Sequence, residues 1–290
     1  MMRPSATNTL VEVTLMKPAI VFACWALALP SYAIADPYSS AVLSNGPIGY
    51  WRLGEAASAS TALDSGSNNL DGTYLSSVTP GAAGAIQSST NTAATFIGDG
   101  FNGGFVDIGY EPLLDLTHSF TIEAWFKTAA VGGTQRILSN RFYGGSFGEG
   151  YGLGIEDSHL IFSAFGVEDY RTSDVVIADE WFYVAVVVDA LSAPSFYLNG
   201  QPFEAFPSSG AIVASSSAFQ IGRNPMADGV SSFEPFNGVL DEVAIYGTPL
   251  EPEVIEYHYN ASIPEPTSAI LAAVGAAACV IGIGLRRQRA

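Results

Sequence analysis

The stretch Trp181–Asp189 reads WFYVAVVVD and is apolar on both of its alternating faces. Phe182, Val184, Val186 and Val188 share one side, while Trp181, Tyr183, Ala185 and Val187 share the other. Side chains on a strand alternate with a period of two, so such a run is satisfied only when both faces are covered. It is expected in the middle of a sheet. A second stretch, Ser119–Thr128 (SFTIEAWFKT), carries Phe120, Ile122, Ala124 and Phe126 on one face and Thr121, Glu123, Trp125 and Lys127 on the other. That pattern predicts one core face and one face that is only partly buried.

Outward from these runs, short apolar and aromatic segments alternate with Gly, Ser, Asn and Asp over residues 46–249, without helical periodicity longer than about two turns. Further strands are expected at Ile48–Leu53, Phe105–Ile108, Arg136–Ser139, Tyr151–Ile155, Leu160–Phe165, Ser195–Leu198, Phe219–Gly222 and Val239–Tyr246. Asn199-Gly200 fits a two-residue hairpin, because a type I′ turn needs positive φ at both central positions. Glu251–Tyr259, with Pro252 in its first turn, fits one short helix. The stretches Ala56–Ser60 and Pro80–Thr90 read as loops. The chain is therefore expected to be all-β, with a sandwich occupying residues 36–263.

Four stretches together resemble the LamG-like jelly-roll domains of the concanavalin A-like class. The opening Tyr50-Trp51-Arg52-Leu53-Gly54-Glu55 is followed by Asp64-Ser65-Gly66 and Asp71-Gly72-Thr73-Tyr74. Ser119–Trp125 resembles the family's central strand, and Trp181–Asp189 with Phe196-Tyr197-Leu198-Asn199-Gly200 resembles a later strand and its hairpin. Phe236–Tyr246, then Leu250 and Tyr257-His258-Tyr259, resembles the closing strand and helix. The likeness implies two curved antiparallel sheets, adjacent first and last strands, and binding more often than catalysis. The family's two histidines stand as Phe182 and Tyr183 here, so no role of theirs carries over.

Both ends of the chain read as addresses. Lys17 precedes an apolar run, Ala19–Leu29, that closes on Ala33-Ile34-Ala35, which fits a signal peptide over residues 1–35 cut before Asp36, with Met16 as an alternative start. At the other end Pro264-Glu265-Pro266 precedes an uncharged run, 268–285, and then Arg286, Arg287 and Arg289. Eighteen helical residues rise about 27 Å, near the thickness of a bilayer's hydrocarbon core. This order of motif, transmembrane helix and basic cluster resembles a PEP-CTERM sorting tail over 264–290, which implies processing by an exosortase. An ordinary membrane anchor is the alternative. Either reading places residues 36–263 outside the cytoplasmic membrane, at the cell envelope, surface or beyond.

Five of the 11 basic residues and two of the 28 acids lie in these ends, leaving 6 basic against 26 acidic side chains in residues 36–263, a net charge of −20. Such a surface repels nucleic acid. Cys24 and Cys279 both fall in the ends, so no disulfide or thiolate chemistry is available between them.

The chemistry that remains is sparse. A laminarinase-like glycoside hydrolase on this fold would carry Glu-x-Asp-x-x-Glu on one strand, and that triplet is absent. Glu123 stands alone, while the neighbours Asp241 and Glu242 are expected to face opposite ways. His118, His159 and His258 are dispersed. Calcium is the inorganic ligand best matched by carboxylates on rim loops. With the first and last strands adjacent, as the resemblance implies, Asp241 would meet Glu55 or Asp64; the alternative is that Asp64 closes a turn and Asp241 makes a structural hydrogen bond. Tyr143, Phe147, Tyr151 and Tyr170 fit either a sugar-stacking platform or ordinary packing. The expected function is a non-catalytic surface or matrix module that binds polysaccharide or a surface protein. A hydrolase and a purely structural matrix component are the competing readings.

Overall fold

The computed structural model describes residues 36–87, 89–101, 103–143, 148–225 and 233–264. The predicted leader 1–35, the apolar run 268–285, Phe147, Glu265, Pro266, Arg286 and Arg287 lie outside the described residues. Among the described residues no helix is long and apolar enough to cross a membrane.

Strands are numbered in chain order. The first sheet runs β14 (Gln201–Ala205), β13 (Pro194–Leu198), β12 (Phe182–Val188), β7 (Phe120–Thr128), β16 (Gly238–Tyr246), β5 (Thr92–Phe96) and β4 (Val78–Ala83), with β1 (Gly49–Trp51) also paired to β16. The second runs β11 (Glu168–Asp174), β10 (His159–Ala164), β9 (Tyr151–Glu156), β8 (Thr134–Ser139), β15 (Phe219–Ile221), β6 (Phe105–Gly109), β3 (Gly72–Leu75) and β2 (Thr61–Ala62). All strand pairs are antiparallel. The first and last strands are neighbours, with Gly49 opposite Ile245 and Trp51 opposite Val243.

Between the sheets lies the main core. Its aromatic contacts join one sheet to the other: Trp51 stacks on Phe219 at 5.8 Å between centroids, and Phe120 lies 4.9 Å from Tyr151. The apolar run Trp181–Asp189 supplies β12, an interior strand buried at every position, as its two apolar faces require. Asn199 and Gly200 have φ of 48° and 77° and turn β13 into β14. A Cβ on Gly200 would come within 2.6 Å of Tyr259, so close docking of the C-terminal helix adds a second demand for glycine there.

Three expectations are corrected. The second face of β7 is covered further than expected: Thr121 and Glu123 are wholly buried and Trp125 nearly so, and Lys127 alone is half-buried. The helix predicted at the C-terminus, α2 (Pro252–Ala261), has a companion that sequence periodicity missed, α1 (Pro37–Ser44), capped by the Asp36 carboxylate on the amides of Tyr38 and Ser39. Together with Ala85 and Ile86 the two helices cover the outer face of the first sheet, Tyr259 stacking on Trp125 at 5.8 Å. The stretch Pro80–Thr90, read as a loop, holds most of β4, whose small residues carry no apolar alternation.

On the second sheet, β9 carries glycines at two of its three outward positions, Gly152 and Gly154, with Glu156 at the third. A Cβ on Gly154 would sit 2.1 Å from the Gln135 carbonyl oxygen of the adjoining strand. Gly154→Ala is therefore expected to destabilise the protein by about 1–3 kcal/mol, the usual cost of overpacking, read as a melting temperature lowered by several degrees. An unchanged melting temperature would contradict this account of β9.

Candidate functional site

Two groups of polar side chains stand out, and they differ in access to solvent. The first lies beneath the helices. In β16 the register against β7 shifts between Asp241 and Ala244, and Glu242 adopts φ of 52°. This bulge inserts one residue, so Leu240 and Val243 both enter the core while Asp241 and Glu242 lie together on the outer side. The expectation that these neighbours face opposite ways is thereby overturned. Asn91 Nδ2 reaches both carboxylates, at 3.5 Å and 3.0 Å.

Glu242 also accepts from Tyr50 and Arg52, and Arg52 bridges on to Asp36 at the start of α1. Asp241 accepts the Ala85 amide at 2.8 Å. Burial, reinforced by Glu242, raises the Asp241 carboxyl well above the usual carboxylate range, and burial raises Glu242 against the pull of Arg52. Nearby, Glu123 pairs with His258 at 2.9 Å and accepts from Tyr246 at 3.1 Å, all three side chains being sealed from solvent. His258 of α2 thus has an ionisable partner on β7. Nothing in the sequence marked the pair, whose members are 135 positions apart.

The second group lies on the outer side of the second sheet, where Arg171 and Asp169 are open to solvent while Arg136 and Ser163 are buried. Because Gly152 and Gly154 leave β9 bare, Arg136 of β8 lies across that strand and donates to Ser163 Oγ on β10 at 2.9 Å. Ser163 donates to Asp169 Oδ1 at 2.5 Å, Asp169 lies 3.7 Å from Arg171, and Arg171 pairs with Glu156, which accepts from Thr134 at 3.0 Å. Arg136 pairs with Glu234 at 2.5 Å, and Arg141 approaches the same carboxylate at 3.8 Å. Phe165 lies against both guanidiniums, at 5.2 Å and 4.7 Å.

This ring of alternating charge encloses a pocket of about 450 Å³, within the usual size of ligand sites. The Arg171 hydrogen bond holds Glu156 below the usual carboxylate range. Arg136, Glu156, Ser163 and Asp169 fall at outward strand positions, which alternation could have flagged. Glu234 lies far off in the chain, without any such signal.

The structure does not gather the calcium candidates. Asp64 accepts from the amides of Tyr50, Gly66 and Leu70, Glu55 accepts from the Leu63 amide and the Tyr74 hydroxyl, and Asp241 is held by Ala85. Among the described residues no three acidic, histidine or cysteine side chains converge as metal ligands. Asp64 closes a turn and Asp241 makes a structural hydrogen bond, the alternative weighed for each. Of the aromatic candidates, Tyr151 is buried with its hydroxyl on the Leu114 carbonyl, and Tyr170 is packed between Phe162 and Phe206. Tyr143 lies beside the pocket, with the Arg141 guanidinium 4.3 Å above its ring.

A family model described as the concanavalin A-like lectin/glucanases superfamily matches residues 99–256, more than half of the chain. The protein belongs to that superfamily. The matched span contains the whole ring around the pocket. No curated protein matches the chain.

Solved structures share the superfamily's fold with it. Domain 4 of AbnA, a GH43 extracellular arabinanase from Geobacillus stearothermophilus solved with arabinotriose, is 16% identical with a TM-score of 0.53, over 73% of this chain and 97% of that one. A mutant Trypanosoma rangeli sialidase displaying trans-sialidase activity is 17% identical with a TM-score of 0.56, over 76% of this chain and 34% of that one. Botulinum neurotoxin type C, which depends upon two ganglioside molecules to get into cells, is 15% identical with a TM-score of 0.57, over 77% and 53%. The chain thus spans about a third of the sialidase and about half of the toxin chain.

The raised Asp241 carboxyl makes stability depend on pH with a definite sign. The folded form holds this proton where the unfolded chain, titrating near about pH 3.9, has lost it, so stability falls as pH rises through the raised value. Asp241→Asn keeps an acceptor for the Ala85 amide and cannot ionise. Between about pH 5 and pH 8 its melting temperature should fall less than that of the wild type, whereas Asp241→Ala should lose about 1–3 kcal/mol at every pH. Parallel wild-type and Asn curves would contradict the assignment.

Proposed function

We propose that this protein is a non-catalytic, exported surface or matrix module that binds carbohydrate in the pocket over β9. The observation that carries the reading is the ring of paired donors and acceptors around an open pocket of about 450 Å³ on the solvent face of the second sheet. The superfamily's lectin membership supports it, as does the arabinotriose held by the arabinanase domain, a chain that this one covers almost completely.

The two groups of carboxylates support binding without hydrolysis. A glycosidase needs one carboxyl with a raised pKa at the sugar bond to act as the acid. Asp241 and Glu242 have that shift and are sealed beneath α1 and α2. In the pocket, the Arg171 hydrogen bond lowers the Glu156 carboxyl; Asp169 lies beside Arg171, and Glu234 pairs with Arg136.

In this reading the leader is removed before Asp36, and an exosortase processes the tail near Pro264-Glu265-Pro266 after the apolar run has held the chain in the membrane. The sequence order at both ends supports it. So does the position of Asp36, which opens the first helix of the sandwich.

A glycan array probed with the purified full-length chain, with product release followed in parallel, is expected to give binding without turnover. Arg171→Ala, at a half-exposed side chain, should weaken that binding about tenfold, the loss of a hydrogen bond to a charged group. Release of reducing ends would overturn the non-catalytic reading, and silence across the array would overturn carbohydrate binding.

A further inference from the structure

Resting on that reading, we infer that the pocket takes an internal stretch of an uncharged, extended polysaccharide and discriminates against polyanionic glycans, although three arginines line it. The arginines are the obvious argument for an acidic ligand, since they are half of the six basic side chains in residues 36–263. Their chemistry argues the other way. Arg136 is committed to Glu234 and Ser163, Arg171 to Glu156 and Asp169, and Arg141 faces Glu234. With Glu168, the lining holds four carboxylates against three guanidiniums.

An anionic sugar would have to displace a resident carboxylate and would meet a local excess of negative charge. It would also approach a domain of net charge −20. A hydroxyl group both donates and accepts, so a neutral sugar can bond to both members of an arginine–carboxylate pair without separating them. Phe165 is nearly buried against Arg136 and Arg141, so the pocket floor recognises polar atoms more than it stacks on ring faces.

The extent of the site follows from its neighbours. The central pocket shares Thr134 with a depression of about 350 Å³ lined by Gly98, Gly132, Gly133 and Asn237. On its other side it shares Glu168, Asp169 and Arg171 with a depression of about 400 Å³ lined by Phe206, Pro207 and Ser209. From β8 to β11 alone the groove crosses about 14 Å, three strand spacings. A surface that continues beyond the central pocket in both directions suits the middle of a polymer better than a terminal sugar.

The test is calorimetric titration of the full-length chain with arabinan and β-glucan oligosaccharides from disaccharide to hexasaccharide, alongside oligogalacturonates of the same lengths. Affinity for at least one uncharged series should climb about tenfold or more along the ladder, with the matched oligogalacturonate at least about tenfold weaker. Gly132→Tyr, in the glycine-lined depression and outside the central pocket, at a position where an added Cβ meets nothing within 4 Å, should reduce the gain with length and leave disaccharide affinity unchanged. Affinity that is already complete with a disaccharide, or an equal or stronger oligogalacturonate, would overturn this inference while carbohydrate binding stood. If no oligosaccharide of either charge binds, both readings fall. Should Gly132→Tyr fail to fold, the wild-type ladders decide alone.

Discussion

The structure depends on covering both faces of its first sheet. β12 is apolar on either side, and β7 sets Trp125 beside Glu123 on the face away from the core, so neither strand tolerates water there. The second sheet covers one face. The other is roofed by α1, α2 and the segment around Ala85 and Ile86. That roof also encloses Glu123, Asp241, Glu242 and His258, and buried ionisable groups persist only when they are paired or neutralised. The bulge at Asp241–Glu242, the Arg52 bridge to Asp36 and the Glu123–His258 contact are the means of pairing them.

With the helices committed to one sheet, the outer face of the other is left to solvent, and the proposed recognition surface lies there. Two glycines on β9 keep that face low enough for Arg136 to lie across the strand, and the ring of charge from Glu234 round to Glu156 follows from that placement. The same division separates carboxylates with raised pKa values from carboxylates that a ligand can touch. The raised carboxyls thus lie beneath the roof, and the carboxylate that Arg171 lowers lies on the open face.

Much of the sandwich was legible from alternation alone, because Phe182–Val188 declares both of its faces in its apolar pattern and Phe120–Thr128 declares its core face. The hairpin at Asn199-Gly200 was legible from the φ it requires. What escaped has physical reasons. α1 is short and rests on a carboxylate cap and one buried stripe, too little for a periodic signal. The bulge in β16 breaks the period of two on which the opposed placement of Asp241 and Glu242 relied. The calcium expectation assumed free carboxylates on Glu55 and Asp64, which instead serve nearby amides and Tyr74. The pocket joins β8, β10 and β11 to Glu234, and only the folded register brings those positions together.

The central claim is that ligand recognition belongs to the open face of the second sheet and the roofed face of the first is structural. Amide hydrogen exchange of the full-length chain, with and without a saturating glycan selected from the array, tests it most directly. The account predicts added protection in Thr134–Ser139, Tyr151–Glu156 and His159–Asp174 and none in Pro37–Ser44 or Pro252–Ala261. Protection concentrated in the two helices, with β8 to β11 unchanged, would contradict it.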